Sequence, residues 1–139
     1  MASDRIREHR NPRKVVLDSS AIMMLFEFSI DLESELTRLL GAYEIIVPET
    51  IIKELTLLSE KANGKKKAIA KPALKLAEKY EVVESSSKFG DDAVLEVAKK
   101  YEGLVFSNDK ELRRKAKMQK LKTIYLRSKK HLEISQDFV

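Results

Sequence analysis

Val15-Val16-Leu17-Asp18-Ser19-Ser20-Ala21 decides how this chain is read. Lys14-Val15-Val16-Leu17 is short, apolar and β-branched, the composition of a strand buried on both faces. It ends on a carboxylate, an expensive group to place against a buried apolar run unless something compensates it. Outward from Asp18, the apolar stretch Ala21 to Phe28 reads as a buried helix. Leu32, Leu36, Leu39 and Leu40 then share one helical face closed by Gly41. Glu44-Ile45-Ile46-Val47 is a second strand, and Pro48 opens a helix carrying Ile51, Ile52, Leu55 and Leu58 inward.

The alternation continues to the end of the chain. Ala62-Asn63-Gly64-Lys65 is a loop. Ile69, Ala73, Leu76, Ala77 and Tyr80 follow at helical spacing, with Pro72 setting the start of that helix back a turn. Glu81 to Glu84 is a short strand followed by Ser85-Ser86-Ser87. A helix from about Asp91 to Tyr101 ends at Gly103. Leu104-Val105-Phe106 is a strand, Lys110 to Gln119 a last helix, and Lys122 to Leu126 a final strand. Short apolar strands alternating with helices predict an α/β fold, a central parallel sheet of about five strands covered on both faces. We divide the chain into a basic arm at 1–13, one domain at 14–131 and a tail at 132–139.

Composition narrows the function. At 139 residues the chain suits one compact domain. It has no cysteine, so thiol catalysis, disulfides and thiolate zinc sites are excluded. No apolar run approaches the roughly 18 residues of a membrane span, and the charged start is no secretory signal. A cytoplasmic protein with no membrane partner is expected. Lys and Arg number 27 against 22 acids, a net charge of +5, unevenly spread. Lys61, Lys65, Lys66, Lys67 and Lys71 lie in a stretch without acids, and ten bases from Lys110 to Lys130 face only Asp109 and Glu111 in residues 107–131. Such runs are often solvated helix faces; beside an acidic cluster they also suit a polyanionic substrate.

Four acids stand where a parallel sheet places ligands, outside the carboxyl ends of its strands. Asp18 follows the first strand, and Glu54 lies about two turns into the helix after the second. Asp92 is in the first turn of its helix, and Asp109 comes just past Phe106. Carboxylates held close repel one another, and a divalent cation is the usual remedy. Each has a plainer role: Asp91 or Asp92 as a helix cap, Asn108 with Glu111 as a capping box, Glu54 as an exposed helix residue.

Val15 to Ala21 resembles the opening motif of the PIN-domain nucleases. Val47-Pro48-Glu49-Thr50-Ile51-Ile52-Lys53-Glu54-Leu55 resembles their second motif, Asp91 to Ala98 their third and Val105 to Leu112 their fourth, in order over about residues 14–127. The resemblance implies a Rossmann-like fold and an RNA endonuclease dependent on Mg²⁺ or Mn²⁺, hydrolysing in line to leave 5′-phosphate and 3′-hydroxyl ends. It implies that Asp18, Glu54, Asp92 and Asp109 are the catalytic and metal-binding acids. Asp91 and Ser107 would support them, and Ser20 would cap the helix after the first strand. Lys65, Lys66, Lys67, Arg113, Arg114, Lys115, Lys117, Arg127, Lys129 and Lys130 would contact RNA phosphates, which position a strand without reading its sequence.

Within that family the stretch Asn108 to Arg114 and the stretch Ile124 to Lys130 are similar to PIN nucleases that process small-subunit ribosomal RNA precursors. Toxins of toxin–antitoxin pairs more often carry an aromatic residue at the position of Leu112. Precursor ribosomal RNA and ribosome-assembly proteins are therefore the expected partners, with a homodimer also suggested by relatives. The alternatives are an RNA-binding assembly factor with little catalysis and a toxin-type nuclease. His9, His131, Met23, Met24, Phe26 and Phe28 read as surface or core residues. A phosphoryl-accepting receiver domain and an Asp-x-Asp phosphatase both fail on Leu17 and Ser20, and no Gly-rich phosphate loop is present.

Overall fold

The structure, a computed structural model, describes residues 12–135. The arm foreseen at 1–13, including His9, and the last four residues lie almost wholly outside it. Strand β1 (Arg13–Leu17) leads to helices α1 (Ser19–Glu27) and α2 (Leu32–Leu40), then to β2 (Tyr43–Pro48), α3 (Glu49–Lys61) and α4 (Gly64–Ala77). There follow β3 (Glu81–Val83), α5 (Gly90–Tyr101), β4 (Leu104–Phe106), α6 (Lys110–Met118), β5 (Thr123–Arg127) and β6 (His131–Ile134).

The strands form one sheet in the order β3-β2-β1-β4-β5-β6, parallel except for β6. Strand β1 is central: Val15 pairs with Ile45 on one side and Leu104 on the other. Val15, Val16 and Leu17 are fully buried, as their β-branched and apolar types predict. The chain runs outward from β1 to β2 and β3, then crosses back to β4. The strand order therefore reverses between β1 and β4, where a crevice opens beyond the strand ends.

Two expectations change. Helix α4 starts at Gly64 and runs straight through Pro72, not a turn late. Proline removes one backbone donor from a helix, yet Ala70, Ala73 and Ala77 are fully buried, and that packing outweighs the lost bond. The sheet has six strands rather than about five, because residues 131–134, assigned partly to a tail, double back as β6. The reversal uses Ser128 and Lys129, both at positive φ. As an edge strand β6 exposes backbone groups, and α2 takes them: Leu132 N–H donates to Glu35 Oε1 at 2.7 Å and Leu132 C=O accepts from Arg38 at 2.7 Å. These partners, distant in sequence, are invisible to periodicity. Helix α5 gives way at Gly103 as expected, with Glu102 between them in the left-handed conformation at φ 53°. Gly103 lies so close to the Lys14 backbone that an added Cβ would stand 2.9 Å from its carbonyl oxygen.

Among the described residues, no helix is long and apolar enough to cross a membrane. Met24 is core, Met23 and Phe28 pack against it, and Phe26 is partly exposed.

Candidate active site

Asp18 sits at the point where the strand order reverses. Its N–H donates to the Phe106 carbonyl at 3.1 Å, continuing the β1–β4 ladder one residue past the strand. The side chain is almost entirely buried. Ser107, wholly buried at the end of β4, donates its hydroxyl to Asp18 Oδ2 at 2.8 Å and accepts the Asp109 N–H at 3.0 Å. Ser20 Oγ donates to the same Asp18 oxygen. Ser20 therefore supports Asp18 instead of capping α1, which has Asp18 at its N-cap and no side-chain cap bond. Asp18 Oδ2 carries both hydroxyl bonds.

Burial pushes the Asp18 carboxyl above the ordinary range, the two serine hydroxyls work against that, and the charges of Asp91 and Glu54 add to the rise. Asp91 is likewise raised, first by burial, then by Asp109, while Lys115 opposes it. Asp91 is thus half-buried and turned toward the other acids. Asp92, given the ligand's place by the resemblance, is the exposed one of the pair. Neither caps α5, whose N-cap is Phe89.

Glu54 is half-buried rather than an exposed helix residue. Its Oε1 accepts from Ser19 Oγ at 2.8 Å, and its carboxylate presses on Gly90 so closely that a Cβ at that position would overlap Oε2. Only glycine lets the first turn of α5 meet Glu54 this way. Sequence reasoning missed Gly90; its position directly before the Asp91-Asp92 pair was the available signal.

Asp109 caps α6, accepting from Glu111 N–H at 2.8 Å and Leu112 N–H at 3.1 Å. The capping role foreseen for Asn108 falls to its neighbour, and Asn108 Oδ1 accepts the Leu126 N–H instead, tying α6 to β5. Among the described residues, no three acidic or imidazole groups stand together at ligand spacing. The donors nonetheless suit a hard cation in kind. They are all carboxylate oxygens, two of the acids are raised partly by like charge, and among the described residues Asp18 Oδ1 accepts no hydrogen bond. Glu54 uses Oε1 for Ser19 and Asp109 uses Oδ1 for the helix cap, which leaves the second oxygen of each out of these bonds.

The basic residues divide. Lys115 is half-buried, and its charge opposes the rise of the Asp91 carboxyl. Arg113 stacks on Tyr125, 4.0 Å from the ring centre. Arg114 pairs with Glu111, and Arg127 with Glu133 at 3.1 Å. Lys129 lies 5.7 Å from the Phe28 ring centre, and Lys117, Lys130 and His131 are exposed. Lys65, Lys66 and Lys67 line the first turn of α4, with Lys67 half-buried.

Residues 15–129 match the family model described as PIN like domain. The chain is 36% identical over 132 residues to Ribonuclease VapC9 of Archaeoglobus fulgidus, covering 95% of this chain and 96% of that protein. It is 32% identical over 125 residues to Ribonuclease VapC4 of Methanocaldococcus jannaschii, covering 87% and 95%. Among solved structures, the PIN domain endonuclease Utp24 superposes with a TM-score of 0.76 at 20% identity, over 91% of this chain and 93% of that one. A fold with its strand order reversing at Asp18, a family model spanning that fold and two relatives of nearly equal length agree: the chain belongs to the PIN-like domain family.

Proposed function

We propose that this protein is a metal-dependent endoribonuclease whose site is the crevice between β1 and β4. The observation that carries the reading is the burial of Asp18 at that crevice, with Asp91 and Glu54 close enough to raise its carboxyl. A folded chain keeps such an arrangement at a cost, and a divalent cation offsets it.

Asp18, Glu54, Asp91 and Asp109 are the acids this reading places around the ion, with Asp92 at its outer edge. Mg²⁺ or Mn²⁺, when bound, supplies neutralising charge for the phosphate and a more acidic water. Ser107 and Ser20 fix Asp18 through its Oδ2, leaving Oδ1 to face the ion. Lys115, whose charge already acts on Asp91, meets the charge of the RNA phosphate in this reading. The exposed lysines of α4 and the segment after β5 hold the flanking backbone.

For the biological substrate, the toxin-type reading takes first place over ribosomal RNA processing. Both relatives above 30% identity are named VapC ribonucleases. Leu112 is on the buried face of α6 and fully buried, so its aliphatic character answers to packing. Arg114 and Arg127, two bases of the tail that suggested processing, are paired within the fold. An antitoxin-like protein is then the expected partner, in the cytoplasm, with a homodimer as the expected assembly. Processing of precursor ribosomal RNA with ribosome-assembly proteins, and assembly without cleavage, are the second readings. Expression of wild type and Asp18→Asn, followed by mapping of cellular RNA ends, separates them. Growth arrest with cuts in many RNAs supports the toxin reading, a cut confined to the small-subunit precursor supports processing, and no new ends leaves assembly.

A further inference from the structure

A groove of about 500 Å³ has Glu54 in its lining. One wall is the face of α3 carrying Glu49, Thr50, Lys53, Glu54 and Leu57; the other is the Ser85–Lys88 loop. This loop is firmly held. Ser86 and Ser87 each donate both a backbone N–H and a hydroxyl to the Glu96 carboxylate of α5, at 2.7–3.1 Å. Thr50 Oγ1 donates to the Ser87 carbonyl at 3.1 Å, clamping the loop to α3 as well. Lys53 leans on Glu49 at 3.4 Å, while Lys88 has no ion-pair partner among the described residues.

Phe89 follows Lys88 of the groove wall in the chain and is 74% exposed, the most exposed large apolar side chain of the described residues. It connects Lys88 on the wall to Gly90, which touches the Glu54 carboxylate. Leu57, also on the wall, is 54% exposed. An aromatic ring left in water buries nothing for the fold. One residue along the chain from the groove wall, it has the chemistry of a platform for an unpaired base.

We propose that this groove binds one unpaired ribonucleotide next to the cut. Its base stacks on Phe89 and Leu57, its phosphate meets Lys88 and Lys53, and its ribose hydroxyls meet Thr50 and Ser85. The site accepts any base, since every base offers a π face, and it excludes duplex RNA, whose bases are already stacked. The position of the cut rests on the nuclease reading; the binding of single-stranded RNA does not.

The chain has no tryptophan, so Phe89→Trp introduces a single reporter. Titration with an unstructured oligoadenylate in EDTA, where no cleavage occurs, should quench its emission, and duplex RNA of equal length should not. Anisotropy of the same labelled strand should show Phe89→Ala binding about tenfold more weakly than wild type and Phe89→Trp binding as well as or better. With metal present, Phe89→Ala should raise KM far more than it lowers kcat. Unchanged affinity in Phe89→Ala, or emission unaffected by saturating RNA, overturns the proposal. So does emission that varies with protein concentration alone, or a Phe89→Ala defect confined to binding a co-expressed protein, since either makes the patch a protein interface. Quenching without any cleavage by wild type leaves this site standing and removes the nuclease reading.

Discussion

The Ser107 hydroxyl donates to Asp18 Oδ2 at 2.8 Å across the seam where the strand order reverses, and accepts the Asp109 N–H at 3.0 Å. One buried serine thus couples the acid that ends β1 to the acid that opens α6. Ser107→Ala should leave the sheet intact but free both acids, lowering metal affinity by about tenfold or more. Isothermal titration with Mn²⁺ checks this, and Ser107→Thr should recover most of the loss.

Gly90→Ala tests the contact between α3 and α5. The obstructing atoms belong to the end of the flexible Glu54 side chain, so the helix has room to form once that carboxylate moves. The expected outcome is a melting temperature close to wild type with cleavage reduced by about tenfold or more. A large loss of stability with normal activity per folded molecule would contradict the placement of Glu54.

Gly103→Ala makes a contrasting prediction, because its Cβ would meet the Lys14 backbone instead of a movable tip. Overpacking against main chain costs about 1–3 kcal/mol. Urea denaturation should show a lower midpoint with an unchanged slope.

Much of this molecule was legible in its sequence because the signals were local. The apolar run before Asp18, the Val47 to Leu55 segment and the Asp91-Asp92 pair each lie on the element and at the strand end foreseen for them. What escaped depended on contacts across the chain. Strand β6 exists because Glu35 and Arg38 of α2 receive its edge, and Pro72 stays helical because α4 is packed on its alanine face. That Asp91 is half-buried and Asp92 exposed follows from the rotation of α5 about its axis, which an Asp-Asp pair in the sequence does not fix.

The acid pocket should leave a signature in stability. Burial and like charge raise Asp18 and Asp91, so the folded state disfavours their ionised forms. Their contribution is fully present below about pH 4 and is lost as pH rises through the raised folded values. In EDTA, Asp18→Asn should therefore be more stable than wild type at pH 7, with the gap closing as pH falls toward 4. Adding Mn²⁺ should raise the melting temperature of wild type and leave that of Asp18→Asn nearly unchanged. Scanning calorimetry across that range, with and without metal, checks both signs.

The most direct test is cleavage of a single-stranded RNA by purified protein with Mn²⁺ or Mg²⁺, comparing wild type with Asp18→Asn. The account predicts metal-dependent cutting with 5′-phosphate ends by wild type, EDTA inhibition, and a loss of about a hundredfold or more in the folded variant. Equal cutting by the two proteins, or cutting that persists undiminished in EDTA, would contradict it.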